Sequence, residues 1–580
     1  MWRNRVLNLV IFIILIVSTL SIITINTVEG ANRTIIYVGG SGPYNFTRIQ
    51  DAINYSQDGD TIYVYCGIYY ENIIVNKTIN IFGEEMDNVV VDGEGNDTIV
   101  INASDVNLSN FTVLESRCHG LRIEGTHNKI HKCHICNING SCWGLPCGIL
   151  LLSPDNTICD CVISDNNCSG ITILSNNNTI SSCNISNNTE GIYLWSSNNT
   201  IIDNDIKKNS ANGIIFLGYS NNNTITKNNI DANTLGIYLI TSSNNTITGN
   251  TITNSTSEGI SIGNSCNNII NGNIIKNNNY CGIFLLGHIL EDYSYTHHNT
   301  ITGNLIINNS CGVYLFSETT FFSCKYNTIR GNTITNNGDG IWLSSNSDNN
   351  KIYHNNFDNS DNAYDDGANT WDNGNISGGN YWSNYTGIDT NGDGIGETPY
   401  NISGGDNQDR YPFVETLIFM GLPQGWNLIT VPFANAWTAE TLGQNINDCT
   451  TVTVYNSSTQ TFITHVVGTP HDDFPIMDGV GYFISVTMDS VFVIRDVPLM
   501  NISVTIDEDW NLIGWCHETT STAESLGQAI NGTTVVIMFN SSTQTFLTHV
   551  VGTPHDNFNI ERGMGLFIYT TEASIWHGEG

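Results

Sequence analysis

A glycine followed by an apolar residue recurs at Gly120, Gly148, Gly170, Gly191, Gly213, Gly236, Gly259, Gly282, Gly312 and Gly340. Most spacings are 21 to 23 residues and three are 28 to 30. Between these glycines sits Asn-Thr-Ile, at Asn178, Asn199, Asn223, Asn245, Asn299 and Asn327, and five residues after that Ile comes Ile185, Ile206, Ile230, Ile252, Ile306 or Ile334. Each period therefore supplies three short strands bounded by Gly or Asn. Strands this short are unstable alone, but stacked coils about 4.8 Å apart pair each strand with its equivalents above and below. Alternation sends Ile inward and polar residues outward. Gly and Asn accept the left-handed backbone that corners require, and stacked Asn amides can form ladders. Leucine-rich repeats of similar period would need Leu at fixed offsets and helical patterning, and neither is present. The period predicts a right-handed parallel β-helix from about Cys118 to about Phe357, with the stretch through residues 288–298 as an extruded loop.

A coil stack exposes raw edges and needs caps. Residues 47–54 read as a short amphipathic helix, N-capped by Thr47, closing the N-terminal end. Asp60-Thr61-Ile62-Tyr63-Val64 and Asn80-Ile81-Phe82-Gly83 read as the first coils. Three apolar columns with amide-rich surfaces leave all three faces polar and similar, so the repeat singles out no binding face.

The N-terminus has the form of a targeting segment. Arg3 and Arg5 precede an apolar run over residues 6–25, an n-region and an h-region. Residues 1–30 are thus expected to be a signal peptide, or an uncleaved anchor and the one point of membrane attachment. The 16 cysteines fit an oxidising compartment. Sequons at Asn32, Asn45, Asn76, Asn102, Asn107, Asn139, Asn184, Asn254 and Asn384 fit a glycoprotein. Acidic residues outnumber basic ones 54 to 19, a net −35, which argues against nucleic acid or an anionic membrane surface as partner.

Three runs resemble a known family. Ile49-Gln50-Asp51-Ala52-Ile53, Gly59-Asp60-Thr61-Ile62 and Gly67-Ile68-Tyr69-Tyr70-Glu71-Asn72, followed by Asp92-Gly93, are similar to the opening of pectin-lyase-like β-helices of the NosD type. Gly378-Gly379-Asn380-Tyr381-Trp382-Ser383-Asn384-Tyr385-Thr386-Gly387 and the segment from Asp389 to Tyr400 resemble the close of the same domain. The resemblance covers about residues 35–415, and the acidic, Asn-rich style resembles that of archaeal surface proteins. It implies carbohydrate-related binding, or a copper-accessory role as in the family's namesake, without fixing an activity.

Several residues are candidates for chemistry. Asp389, Asn391, Asp393, the Ile395 carbonyl and Glu397, with Gly394 sixth, have the spacing of a calcium loop. Tyr400 stands where the twelfth-position carboxylate would be, so Asp406 or Asp409 is expected to supply that oxygen to Ca2+. Tyr381, Trp382 and Tyr385, with Trp371 nearby, are either sugar-stacking rings or a plug for the helix end. Cys133, Cys161 and Cys183 follow equivalent strand Ile residues by three and should stack, as should Cys281 and Cys311. They are disulfide candidates or buried thiol ladders. The run His131-Lys132-Cys133-His134-Ile135-Cys136, joined by His119, is the alternative soft-metal site. Asp203 and Asp205, at i and i+2, are expected to point the same way as a carboxylate pair for polysaccharide chemistry.

A second repeat has a period of 84 residues. Trp426-Asn427-Leu428-Ile429 matches Trp510-Asn511-Leu512-Ile513, and the stretch from Asn456 to Phe462 matches that from Asn540 to Phe546. Two small β-rich domains follow, each with one helix, beginning at Thr438 and Thr522. They resemble Gly-Trp-Asn-Leu modules appended to surface proteins. His465 and His471 recur as His549 and His555, a candidate metal set, and Cys449 and Cys516 are candidates for an inter-module disulfide.

The expected architecture is therefore all-β: residues 1–30 targeting, 31–370 β-helix with a helical cap, 371–415 a C-terminal cap with the calcium-type loop, then β-rich modules over 416–500 and 501–580. The expected function is a non-catalytic extracellular or cell-surface protein binding glycans, cell-envelope partners or a surface protein. A polysaccharide lyase, hydrolase or epimerase is the alternative, and a copper-type accessory protein the second.

Overall fold

The computed structural model describes residues 34–578 apart from 94, 96, 143, 288–294, 318, 320–322, 376, 434, 447, 496–498 and 500–501. The targeting segment over 1–30 lies outside the described residues, as does most of the loop through 288–298. Among the described residues no helix is long and apolar enough to cross a membrane. The chain is all-β: a parallel β-helix with walls of 14, 14 and 13 strands, then small antiparallel sheets. The first wall runs from Ile35–Val38 to Lys351–Tyr353. The second runs from Gly67–Tyr70 to Tyr381–Trp382, and the third from Ile73–Val75 to Asp361–Asp365. Successive coils pair in register, so Ile stacks on Ile. In the second wall Ile185, Ile206, Ile230, Ile252, Ile275, Ile306 and Ile334 form one column that ends in Phe357 and Trp382. These column residues are fully or almost fully buried, each worth about 1.5–3 kcal/mol.

Each of the three corners carries an asparagine ladder. Between the first and second walls, the Asn204 N–H and Nδ2 both donate to Asn228 Oδ1, at 3.0 and 2.9 Å, while Nδ2 also reaches Ile180 O at 3.0 Å. Asn228 repeats this on Asn250 and Ile201 O. The residue before each rung, such as Asp203, Lys227 or Gly249, has a positive φ of 56–63°, which turns the chain and aims the amide inward. The other corners carry ladders through Asn178, Asn199, Asn223 and Asn245 and through Asn188, Asn209 and Asn233.

Cys133, Cys161 and Cys183 occupy the same corner position on earlier coils. Their sulfurs lie 3.7–3.9 Å from Leu108 O, Ile130 O and Ile158 O, the carbonyl position that Asn Nδ2 reaches elsewhere. They are free thiols, as are Cys281 and Cys311, which face each other in register. The disulfide expectation is corrected for all five. In-register parallel strands keep Cβ atoms about as far apart as the ~4.8 Å strand repeat, beyond the ~3.5–4.5 Å that a bridge requires. The disulfide present is Cys118–Cys142, which ties down a loop.

The N-terminal cap is the helix Ile49–Tyr55, which buries Ile49, Ala52 and Ile53 over the first coil. A strand, Ile35–Val38, precedes it and pairs with Thr61–Val64. Thr47 is not the N-cap: that position is Arg48, without a side-chain bond. The buried Glu71 carboxylate instead accepts from Ile49 N at 2.7 Å and Gln50 N at 3.0 Å, satisfying the orphan donors and the helix dipole together.

At the far end one of the ladders terminates on a buried acid. Asn380 N donates to Asp409 Oδ2 at 2.7 Å, where the next Asn oxygen would be, and the Trp382 indole N–H donates to the same oxygen at 2.9 Å. Asp365 receives the Trp371 indole N–H at 2.7 Å and Asn369 Nδ2 at 2.8 Å, while Asn369 N carries its own ladder on to Asn407 Oδ1 at 3.3 Å.

Each terminal module holds a four-stranded antiparallel sheet and one short helix, Ala439–Asn445 or Ala523–Ala529. Thr438 and Thr522 cap these helices by accepting from Thr441 N and Ser525 N. The two modules clamp each other reciprocally. Gln544 binds both Trp426 N and Trp426 O at 2.9 Å, and Gln460 binds Trp510 N at 3.3 Å and Trp510 O at 2.9 Å. Leu428, Phe483 and Leu512 are buried between them, with Trp426, Tyr455, Phe462, Phe539 and Phe567 packed around. Cys449 and Cys516 are both free, so no inter-module disulfide forms. Cys516 is buried, its sulfur 3.8 Å from Thr430 Oγ1.

Removing one rung tests the ladder. Asn250→Ala leaves the Asn228 N–H without its acceptor, while Nδ2 keeps Ile201 O, and should cost about 1–3 kcal/mol. The outward Asn229→Ala should stay within about 0.5 kcal/mol. Urea unfolding of both variants checks this.

Candidate functional site

In the third-wall strands from Cys147–Leu151 to Asp339–Leu343 the residue two after the corner glycine faces outward, and in Asp361–Asp365, where Asn362 replaces that glycine, Tyr364 holds the same phase. In register along the wall these are Leu150, Thr172, Tyr193, Ile215, Tyr238, Ser261, Phe284, Tyr314, Trp342 and Tyr364. Six are aromatic, and each ring is half-buried. Phe284 and Tyr314 lie 5.3 Å apart, Tyr314 and Trp342 6.4 Å, and Trp342 stacks on Tyr364 at 4.3 Å. Tyr280 flanks Phe284 at 6.2 Å and is 44% exposed. Trp195, 51% exposed, lies over Gly218, whose site would place a Cβ 2.1 Å from the indole nitrogen. The smaller neighbours Thr172, Ile215 and Ser261 are buried between the rings. The first two walls carry no such row: their outward positions on these coils are mostly Thr, Ser, Asn, Asp and Lys with scattered aliphatics, as in Thr224–Thr226 and Asp205–Lys207. The faces are therefore not alike. The signal was present in the sequence as Gly191-Ile192-Tyr193-Leu194, Gly236-Ile237-Tyr238-Leu239, Gly282-Ile283-Phe284-Leu285, Gly312-Val313-Tyr314-Leu315 and Gly340-Ile341-Trp342-Leu343.

Beside the rings runs a row of carboxylates, Glu190, Glu258, Asp339 and Asp361, of which Asp339 and Asp361 pair in register. Glu190 accepts from Asn212 N at 2.8 Å, and burial raises its pKa above the ordinary carboxylate range. Burial, and then the Asp361 charge, raises Asp339. The phenols respond: burial and then Glu190 raise Tyr193, and burial and then Glu258 raise Tyr238.

The residues singled out by spacing lie elsewhere. Asp203 sits in a left-handed corner with φ 56°, while Asp205 is on a second-wall strand, bonded to Lys207 and to Asn229 Nδ2 at 2.9 Å. The corner breaks the alternation that was expected to align them. Trp382 is 1% exposed, stacked on Phe357 at 4.6 Å and Tyr400 at 4.3 Å, so it is a plug and not a sugar platform. Tyr381 packs half-buried against Ile395, Phe413 and Leu417, and the Tyr385 hydroxyl donates to Thr398 O at 2.6 Å.

In the calcium-type loop Asp389 accepts from Gly392 N and Gly394 N, both at 2.7 Å. Asn391 accepts from Asp393 N at 2.9 Å and Asp393 from Ile395 N at 2.8 Å. Glu397 accepts from Thr390 N at 2.8 Å and its hydroxyl at 2.6 Å. Asp409 is not available as a twelfth-position ligand. It is fully buried beneath Trp382, and burial pushes it up to about 7 against the pull of its N–H donors. Asp406 is exposed. The Arg495 guanidinium of the first module donates to the Asp393 carbonyl, so the loop also forms the seam between cap and module.

The His/Cys run does not converge. Lys132, with φ 51°, turns a corner between His131 on the first wall and His134 on the second. His131 and His134 face outward to Asn107 and Ser164, while Cys133 and Cys136 are buried. His119 is held by Asp97 at 2.7 Å, with Arg122 on the other carboxylate oxygen at 3.3 Å. Among the described residues no three His, Cys, Asp or Glu side chains are grouped to hold a metal ion. In the modules His465 Nε2 meets Glu440 at 2.6 Å and its Nδ1 meets the carbonyl, not the ring, of His471 at 2.9 Å. His549, Glu524 and His555 repeat this at 2.7 and 2.9 Å. Each is a buried clamp that also receives a backbone N–H, from Gly468 or Gly552.

The family described as "Right handed beta helix region" matches residues 147–290 and 191–357. The described residues of that span lie in the right-handed parallel β-helix. No curated protein matches the chain. Among solved structures, the A-module of the mannuronan C-5 epimerase AlgE6 of Azotobacter vinelandii is similar at 15% identity and a TM-score of 0.41, covering 56% of this chain and 90% of its own. The PL6 family alginate lyase AlyGC is similar at 14% and 0.47, covering 55% and 51%. The Dettilon tailspike protein is similar at 13% and 0.42, covering 93% and 94%.

The His465–Glu440 clamp predicts a pH window. Burial lowers the pKa of His465, but Glu440 and the His471 carbonyl outweigh it and the net is a rise. Its contribution is complete below about 6.5 and lost as pH climbs through the folded value. Glu440 is lowered, chiefly by His465, so its contribution is complete above about 4.5 and lost as pH falls through its folded value. The thermal midpoint of the module transition should peak between these limits, and Glu440→Gln should flatten the peak.

Proposed function

We propose that this chain is an extracellular or cell-surface protein that binds glycans along the third wall of its β-helix without chemically converting them. The observation that carries this reading is the in-register aromatic row from Tyr193 to Tyr364. Aromatic faces stack on the C–H faces of sugar rings while the polar flanks meet hydroxyls. The coil repeat of about 4.8 Å places rings on alternate coils about 10 Å apart, and from Phe284 onward on every coil. A rigid, preformed row loses little entropy on binding an extended chain. The terminal modules bury much of their aromatic surface against each other, which leaves the β-helix as the larger exposed aromatic surface. Affinity electrophoresis of the full chain in polysaccharide-loaded gels tests this. Trp342→Ala should weaken retention about tenfold, or ~1.4 kcal/mol, with no new chain ends formed. Equal retention of the variant, or release of reducing or unsaturated ends, defeats the proposal.

In the same reading the 389–400 loop holds Ca2+ in a structural role, through Asp389, Asn391, Asp393, the Ile395 carbonyl and Glu397. An all-oxygen donor set suits a hard cation, which would brace the seam where Arg495 meets Asp393. Calcium at 100 times its dissociation constant should add about 2.7 kcal/mol of stability. Asp389→Asn with Asp393→Asn should erase that gain. An unchanged melting curve of the unaltered chain in calcium removes the ion from the account.

A further inference from the structure

We infer that the ligand of the third wall is a neutral glycan, not a uronate, sulfated or amino-sugar polymer. This rests on the binding reading above and adds the substrate class. The ten third-wall strands from Cys147–Leu151 to Asp361–Asp365 contain no lysine or arginine. The row beside the rings carries Glu190, Glu258, Asp339 and Asp361. The neighbouring third-wall strand His119–Ile123 carries Arg122 in register with Leu150, and that guanidinium is already paired with Asp97 and Glu124. A polymer with one carboxylate per sugar would bring like charges within the Debye length of about 8–10 Å. No guanidinium or ammonium on these strands would offset them.

An amino-sugar polymer fails on number. It carries one ammonium per sugar, and four carboxylates over ten coils cannot pair with them. The remainder would find no carboxylate on these strands, and a cation–π contact at an exposed ring returns only about 0.5–1 kcal/mol. A neutral polyol meets neither penalty. Its hydroxyls can donate to Glu258, Asp339 and Asp361 in charge-assisted bonds, and its rings lie on Tyr238, Phe284, Tyr314 and Trp342.

The test is retention of the full chain in gels loaded with mixed-linkage β-glucan, galactomannan or glucomannan, with alginate or polygalacturonate, and with chitosan, at 50 and 500 mM NaCl. The expected result is retention by at least one neutral polymer, little changed by salt and lost in Tyr314→Ala with Trp342→Ala. The charged polymers should show none that depends on those rings. Circular dichroism confirms that the variant is folded. Ring-dependent retention on alginate or polygalacturonate overturns the neutral assignment and leaves the glycan reading standing, as does salt-sensitive retention on chitosan alone. No retention on any polymer defeats both. Independently, replacing the four acids by their amides should create ring-dependent alginate retention; no alginate retention by that variant removes charge exclusion as the determinant.

Discussion

The asparagine ladder is the interaction on which the rest of the β-helix depends. A coil with three corners per turn places three sets of backbone groups where strand pairing cannot reach them. An inward amide resolves this by accepting from the coil before it while donating to a carbonyl of that coil. The arrangement needs a left-handed residue ahead of each rung, and it propagates only if successive coils stay in register. Once register is fixed, Ile stacks on Ile and every outward position becomes a straight row. The cysteines at residues 133, 161 and 183 show the tolerance of the rule, since a thiol can take the inward position with a weaker donor. Asp409 shows how a ladder can end: a carboxylate held by backbone, amide and indole N–H groups replaces the next rung.

The third-wall site follows from that register. Tyr193, Tyr238, Phe284, Tyr314, Trp342 and Tyr364 are separated by 22 to 46 residues in sequence, yet they form one surface because each occupies the same phase of the coil. Stacking at a fixed repeat turns a periodic substitution into a periodic platform. The terminal modules use aromatic residues in the opposite way. Reciprocal Gln–Trp clamps bury a large part of their apolar surface in a pairing of two near-identical units, and Arg495 with the 389–400 loop joins the first of them to the helix end.

Much of this was legible. The glycine period, the Ile columns and the Asn corners were read directly, because in a solenoid local pattern and global structure share one period. The aromatic phase was legible too, but averaging the three faces as polar concealed it. Other readings failed where the chain departs from straight-strand geometry. Asp203 and Asp205 were paired by alternation, which a left-handed corner between them interrupts. The stacked cysteines stayed open between bridges and thiol ladders, because proximity along the axis carries nothing of the parallel direction of their Cβ bonds. Trp382 stayed open between a sugar platform and a plug, and Asp409 was offered as a calcium ligand, because nothing local shows that the two contacts making up the plug come from segments 27 residues apart.

The sequence by itself determined the coil: which residues turn, which face inward, and how far the stack extends. These depend on short-range periodicity and on the φ preferences of Gly and Asn. Tertiary structure alone decided which thiols bridge, how the helix ends are closed and how the two modules use their aromatic faces. Each of those outcomes rests on the direction of a side chain relative to a partner distant in sequence, and one-dimensional spacing carries no such direction.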